Sequence, residues 1–388
     1  MHVALQLLAW FIALTWLTRA IGAARGLPSI PNLLLPQYDV SPVGSPTLTV
    51  IVPARNEGPN IRACLESLLA QDYAAMQIIA VDDRSTDNTG DTMDQLAAAY
   101  AYKLRVIHID KLPAEWLGKT HAMSVAADQC TSDFLLFTDA DVIFAPDSLR
   151  RALANVVETR ADHFVLVPTT IIHRWDEAAL LAFFGSFGLW GARPWRVANS
   201  TSPRDALGIG AFNLLRRSAY LKVGGYEALR MEIVEDLGIA RRIKRAGLRQ
   251  RVAFGRGLVS LHWAAGVPGL IHVLTKNIFA VVNFHSALLL GGCLWLTTFC
   301  ILPFLTLWIP AYTLPSVVVI LSLTWGYVLL GRTSGLSAWN VLAVPFAAGI
   351  FIFTLLRSMF VTLKQGGVIW RGTFYPLATL RKHVAPLP

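Results

Sequence analysis

"LLFTDADVIF", residues 135–144, wraps six apolar residues around Asp139-Ala140-Asp141. Asp is disfavoured inside strands and seldom buried without a partner. A run that stays apolar to Phe137 and then presents two carboxylates one residue apart reads as a buried strand whose end opens onto a polar site.

Outward from that run, residues 48–170 alternate strand and helix patterns. "LTVIV" (48–52) is apolar and β-branched throughout, as in a strand covered on both faces, and Pro53 is expected to stop it. A helix follows, with Ile61, Leu65, Leu68 and Leu69 on one face. "QIIAVDD" (77–83) is a second strand, and "STDNT" (85–89) supplies turn and N-cap chemistry for the next helix. "LRVIHI" (104–109) is a third strand. A loop with Pro113, Trp116 and Gly118 then leads to a helix from about residue 119. "DFLLFTD" (133–139) and "HFVLVP" (163–168) are the fourth and fifth strands, with a helix opened by Pro146-Asp147 between them. This order predicts an α/β fold with a doubly wound, mostly parallel sheet.

Such sheets bind ligands at the carboxyl ends of their strands. Three polar clusters stand at those ends: Pro53-Ala54-Arg55-Asn56-Glu57, Asp82-Asp83 and Asp139-Ala140-Asp141. No GxGxxG follows the first strand, which argues against a dinucleotide site. The natural partner of Asp139 and Asp141 is a hard divalent cation, since Mg2+ is usually held by one or two carboxylates plus substrate phosphates. The alternative is a pair of turn or N-cap aspartates before the Pro146 helix.

The chain is 54% hydrophobic, above the usual range for a soluble domain. Ser286–Gly331 contains no Asp, Glu, Lys or Arg, and neither does Thr333–Leu356. At roughly 20 apolar residues per crossing, the first run holds two helices and the second one. Val3–Leu17 is also apolar. A cleaved signal peptide is the alternative there, but Met1-His2 carries no Lys or Arg. Arg19 and Arg25 follow the segment and place what comes next in the cytoplasm. The expected organisation is an N-terminal transmembrane helix (1–25), an α/β domain (45–265), an interfacial helix (266–285), about three transmembrane helices (286–363) and a basic aromatic tail (364–388). Length alone gives four spans and puts the tail outside. Lys364, Arg371, Arg381 and Lys382 instead favour the inside, and a re-entrant Thr333–Leu363, broken by Pro345 and Gly349, would reconcile the two.

Cys64, Cys130, Cys293 and Cys300 form no disulfide framework or metal motif. The net charge of +9 concentrates at Arg241, Arg242, Lys244, Arg245, Arg249, Arg251 and Arg256. That cluster reads as a solvated face, or as attraction to anionic lipid or a phosphorylated substrate. No pattern accompanies it that would suggest nucleic acid. "ALLAFFGSFGLWGARPW" (179–195) is a core helix or, with Trp190 and Trp195, one lying at the lipid interface where an apolar ligand could enter.

The ordered set of motifs resembles the family 2 glycosyltransferases, whose nucleotide-sugar-binding fold is known as GT-A. "VPARNE" (52–57) resembles that family's first uridine-contacting strand end, and Asp82-Asp83 its second acidic site. Asp139-Ala140-Asp141 resembles its DxD motif, and "GKTHA" (118–122) its nucleotide-approaching segment. "VEDLGIARRIKRAG" (234–247) resembles the Glu-Asp segment that carries the catalytic base. The resemblance spans roughly 45–285. "GAFNLLRRSAYLKVGGYE" (210–227) and "GGVIWRGTFYP" (366–376) are most similar to lipid-linked members, such as ceramide glucosyltransferases and bacterial hopanoid- or carotenoid-associated enzymes. Gln-x-x-Arg-Trp is missing after the Glu-Asp pair, where "HVLTKN" (272–277) stands, which favours addition of one sugar.

The resemblance implies a GT-A domain with transmembrane helices at both ends. It implies a membrane-bound, inverting, metal-dependent hexosyltransferase that moves one sugar from a nucleotide-diphosphate sugar, a UDP-sugar first, to a lipid acceptor hydroxyl. Its place would be the inner membrane, with the catalytic domain facing the cytoplasm. Asp236 would be the general base, and Glu235 would orient a neighbour or contact the acceptor. Pro53, Ala54, Arg55, Glu57, Asp82, Asp83, Lys119 and Asp139 would bind the donor. Asp141, with Asp139, would hold Mg2+ or Mn2+. Glu235-Asp236 is otherwise an acidic helix start, and Lys119 a helix-opening residue. His262 beside Trp263 reads as interfacial packing more readily than as a ligand. Lys276 reads as snorkelling at the membrane surface, with replacement of the missing arginine as the alternative. Trp370-Arg371-Gly372 hints at a role near the site. Other readings are a polyprenyl-phosphate sugar synthase, a polysaccharide-synthesis enzyme, a nucleotidyltransferase, or a scaffold or transporter with a degenerate domain. No charged residue lies within a span, as an ion relay would require.

Overall fold

The computed structural model describes residues 2–383, without the side chains of Leu189 and Trp190. The interfacial role expected of Trp190 and the last residues of the tail therefore lie outside the described residues. The strands are β1 (Leu48–Ala54), β2 (Met76–Asp83), β3 (Leu104–Ile109), β4 (Phe134–Phe137), β5 (Val142–Phe144), β6 (His163–Val167), β7 (Thr169–Thr170), β8 (Asn213–Arg216), β9 (Gln250–Phe254), β10 (Val259–Leu261), β11 (Gly367–Trp370) and β12 (Thr373–Pro376).

The main sheet runs β3-β2-β1-β4-β8-β6-β9. Its pairs are parallel except those made by β8, which lies antiparallel to both β4 and β6. Every residue of β1 is buried, as its β-branched run requires of a central strand. Pro53 does not end β1, contrary to expectation; it pairs with Val81, and Ala54 with Asp82. The reason is local. β4 leaves β1 at the Ile51–Phe137 pair, so Pro53 has a neighbour on one side only and its missing N–H breaks no ladder. The fourth strand ends at Phe137, before Asp139, and the chain re-enters extended structure at β5, which joins β10 and β7 in a second sheet.

Among the described residues, four helices are long and apolar enough to cross a membrane: His2–Ser29, Ser286–Thr306, Thr313–Ser334 and Ala338–Gln365. The helix Trp175–Ala192 bridges the two parts, packing on the helices that contain Gly266–Val281, Thr313–Ser334 and Val344–Gln365. Phe183 and Phe184 meet Phe351, and Phe184 also meets Trp263. The basic cluster is partly structural: Lys244 donates to the carbonyls of Val197 and Ser200, and Arg242 to that of Val223.

Both ends of Ala338–Gln365 return to the catalytic domain. On one side, Arg256 packs over Gly335. On the other, β11 and β12 form a hairpin whose turn is Arg371-Gly372, with φ of 47° and 78°. Two successive positive φ values match the twist of a tight hairpin. Arg371 donates to the Arg55 carbonyl and to Glu57 Oε1, so the hairpin tip rests on the end of β1.

Candidate active site

The carboxyl ends of β1, β2 and β4 bring the expected polar clusters to one edge, where the helix Glu235–Arg245 and the hairpin join them. Lys119, in the first turn of Gly118–Ala127, is the hub. Its Nζ stands 2.6 Å from Asp139 Oδ1 and 2.6 Å from Glu235 Oε1. Burial works against the ammonium, but the two carboxylates outweigh it and raise its pKa. Burial likewise opposes ionisation of Asp139, yet Lys119, with Arg371 and Lys276 beyond it, holds that carboxyl below its usual value. Glu235 stays raised, because burial and Asp236 exceed the help from Lys119. Gly210 lets its loop close over this group, since a Cβ there would sit 2.8 Å from Asp139 Oδ2.

Asp141 differs from Asp139. Its Oδ1 is buried with no hydrogen-bond partner among the described residues. Burial, then the charges of Asp139 and Glu57, push its pKa up to about 6. A carboxylate oxygen left without a donor among like charges fits a cation ligand. No group of three His, Cys, Asp or Glu side chains that could hold a metal occurs among the described residues. A hard cation on Asp141 would therefore complete its shell with donor phosphates, as Mg2+ commonly does. Asp139, engaged by Lys119, is less available as a second ligand than the sequence suggests.

Asp236 is partly buried at the start of its helix. Its Oδ1 accepts from the Leu237 N–H at 2.7 Å. Its pKa is raised by burial and by Asp139, which moves a carboxylate toward the range of a working base. Asp82 accepts from the Ser85 N–H at 3.1 Å and faces His108 Nδ1 at 3.2 Å. Asp83 receives a two-pronged pair from Arg84 at 2.8 and 3.1 Å. Both acids thus already have partners within the domain. Pro53 and Ala54 line the β1 end with backbone, and Arg55 Nη1 reaches Thr373 Oγ1 at 3.4 Å.

The site contains groups that were not among the expected donor and base residues. Arg371 is one. Tyr375 is another: it is buried on the hairpin, and burial raises its pKa. Their sequence signal is the Trp-Arg-Gly-Thr-Phe-Tyr run, a turn between aromatic strand formers. Lys276 is a correction. Instead of snorkelling to the membrane surface, its Nζ lies 4.9 Å over the Trp370 ring, facing the site. Burial, Arg371 and Lys119 lower its pKa to about 8, with Glu235 and Asp139 pulling the other way. His262 follows the Leu261–Val142 pair, so the register sets it opposite Asp141. Its Nε2 is 3.5 Å from Glu177 Oε2, and its ring packs against His173 at 4.7 Å.

Residues 49–224 match the family described as Glycosyl transferase family 2. A 4,4'-diaponeurosporenoate glycosyltransferase of Staphylococcus haemolyticus (strain JCSC1435) is 26% identical over 68% of this chain and 72% of the relative. Its counterpart from Staphylococcus aureus (strain MRSA252) is 25% identical over 85% and 88%. A mannosyltransferase from Pyrobaculum calidifontis, solved with GDP-Man and Mn2+, aligns with a TM-score of 0.52 at 17% identity over 91% of this chain and 98% of that one, a likeness of fold. With that sheet, those strand-end carboxylates and the matched segment on the page, residues 49–224 are a family 2 glycosyltransferase domain on a GT-A fold, in a chain with apolar helices at both ends.

Proposed function

We propose that the protein is an inverting, metal-dependent enzyme that moves one sugar from a nucleotide-diphosphate sugar to an apolar, lipid-type acceptor. The observation that carries this is the meeting, at one sheet edge, of an unpartnered buried carboxylate oxygen on Asp141 with the raised carboxyl of Asp236. A cation on Asp141 would neutralise charge that develops on the leaving diphosphate. Asp236 would take the proton of the attacking hydroxyl, and displacement assisted by one base on the far side inverts the sugar carbon.

The acceptor side is apolar. Phe184 and Phe187 are each about two-fifths exposed on the bridging helix, Phe187 meets Trp295, and Trp263 and Phe351 continue the aromatic wall. The relatives are named for diaponeurosporenoate, a carboxylate. An acceptor that presents a carboxylate carries its own nucleophile and needs no base, so Asp236 separates the two acceptor chemistries.

The catalytic domain is assigned to the cytoplasmic side by Arg19 and Arg25. On this reading Ala338–Gln365 lies along the membrane face, because both its ends touch that domain. The decisive assay supplies membranes containing the protein with labelled UDP- and GDP-sugars and follows label into the lipid fraction by mass spectrometry, with Mn2+ and then with EDTA. Metal-dependent lipid labelling is expected. Membranes that label no lipid from any donor would refute the reading.

A further inference from the structure

Two opposite charges in the cleft have no counter-ion. Asp141 has a buried oxygen without a partner. Lys276 forms no ion pair with any carboxylate among the described residues, although Asp139 and Glu235 are close enough to act on its charge. Elsewhere in the cleft, Lys119 pairs with Asp139 and Glu235, and Arg371 with Glu57. Lys276 is moreover held among cations, with Arg371 and Lys119 both acting on it. A cluster of cations at a strand end is costly unless an anion comes to it.

Arg371 has the build of a movable contact. It occupies a left-handed backbone position that Asn or Gly fills more easily, so its guanidinium is kept at a conformational cost. Its side chain is 42% exposed and its pair with Glu57 is solvent-screened, so exchange for another anion costs little. Trp370, one residue earlier, supports Lys276 through its ring face. Hairpin and interfacial helix thus present two cations together, in a chain that lacks the Gln-x-x-Arg-Trp segment.

Resting on the proposed donor chemistry, we propose that Lys276 and Arg371 form the clamp for the donor's diphosphate, with Arg371 exchanging Glu57 for a phosphate oxygen. The ligand class is a nucleoside diphosphate. Both cations would read phosphate charge rather than the base. A fork-shaped guanidinium and a point-charge ammonium share the two phosphates, as each geometry favours.

The test compares UDP and GDP with UMP and GMP by equilibrium binding to the purified full-length protein, with Mn2+ and again in EDTA. In the wild type the diphosphates bind more tightly. Lys276→Met and Arg371→Met should each weaken diphosphate binding by about 10- to 100-fold, as expected for a lost charge-assisted contact, and leave monophosphate binding unchanged. Lys276→Arg and Arg371→Lys should restore part of the loss, and unchanged unfolding temperatures exclude misfolding. Equal losses for mono- and diphosphates, or no loss, overturn the clamp while leaving the glycosyltransferase chemistry intact. A wild type that binds none of the four nucleotides overturns both.

Discussion

Lys119 Nζ meets Glu235 Oε1 at 2.6 Å, tying the first turn of Gly118–Ala127 to the first turn of Glu235–Arg245. The same ammonium holds Asp139 at the end of the central sheet. One cation thus sets the spacing between Asp139 and Glu235.

Lys119→Met should therefore act on stability as well as turnover. It leaves Glu235 buried without its counter-charge. Removing one partner of a buried pair costs about 3 kcal/mol, at the low end of the range because Asp139 is 36% exposed. Thermal unfolding in detergent measures it. A variant as stable as the wild type would show that the bridge carries no weight.

Asp141→Asn should move activity and stability in opposite directions. It removes one of several like charges crowded together, so the metal-free variant should unfold at a higher temperature than the wild type. The same change should abolish metal-dependent nucleotide binding and transfer. If activity persists in the variant with metal chelated, Asp141 is not the cation's ligand.

Asp236→Asn tests the base. With a hydroxyl acceptor, transfer should fall about 10²- to 10⁴-fold while nucleotide affinity stays within twofold of wild type, roughly the loss of one general base. Affinity that collapses with the rate would mean a donor-binding or structural role. A rate that survives with affinity intact would point to a carboxylate acceptor.

Acid sensitivity should come partly from His163, buried between β8 and β9. Gln250 Nε2 approaches its Nδ1 at 2.6 Å, and its Nε2 faces Asn213 Oδ1. Nδ1 thus accepts a bond and has no room for a proton. Burial lowers its pKa to about 4, with Asn213 only partly offsetting. The unfolded chain protonates first as pH falls, so this contribution is complete above about pH 6.5 and is lost between about 6.5 and 4, a span worth about 3 kcal/mol. Unfolding curves at pH 7.5, 6 and 5 should show the decline, and His163→Gln should flatten it.

Topology can be read with single cysteines in a cysteine-free background. Ala311→Cys lies in the turn between two apolar helices, and Phe374→Cys on the hairpin. An impermeant thiol reagent added to intact cells should label position 311 alone, with 374 labelled only after permeabilisation. Labelling of both in intact cells would mean that Ala338–Gln365 crosses and that the hairpin contact with Glu57 does not form.

Much of this was legible in sequence because it is local. The abrupt passage from Phe137 to Asp139 marks a strand end, and the apolar runs near both ends of the chain mark membrane helices. β8 was not legible as a strand, because "NLLR" is too short to show a period and its place between β4 and β6 is set by pairing. The direction of Lys276 was not legible either. Its helix is apolar on most sides, so the sequence does not say which face meets the domain. The role of Arg371 depends on a contact across 314 residues. The extent of β1 past Pro53 depends on where a neighbouring strand leaves it.

The hairpin on Glu57 also links catalysis to biogenesis. Arg371 reaches the end of β1 only after the chain has passed through Ser286–Thr306, Thr313–Ser334 and Ala338–Gln365. A nascent domain whose C-terminal apolar helices are not yet in place lacks the Arg371 contact at the end of its central strand. Completion of this strand-end contact thus waits on the placement of the apolar helices that precede the hairpin, and before then the sheet edge is unfinished.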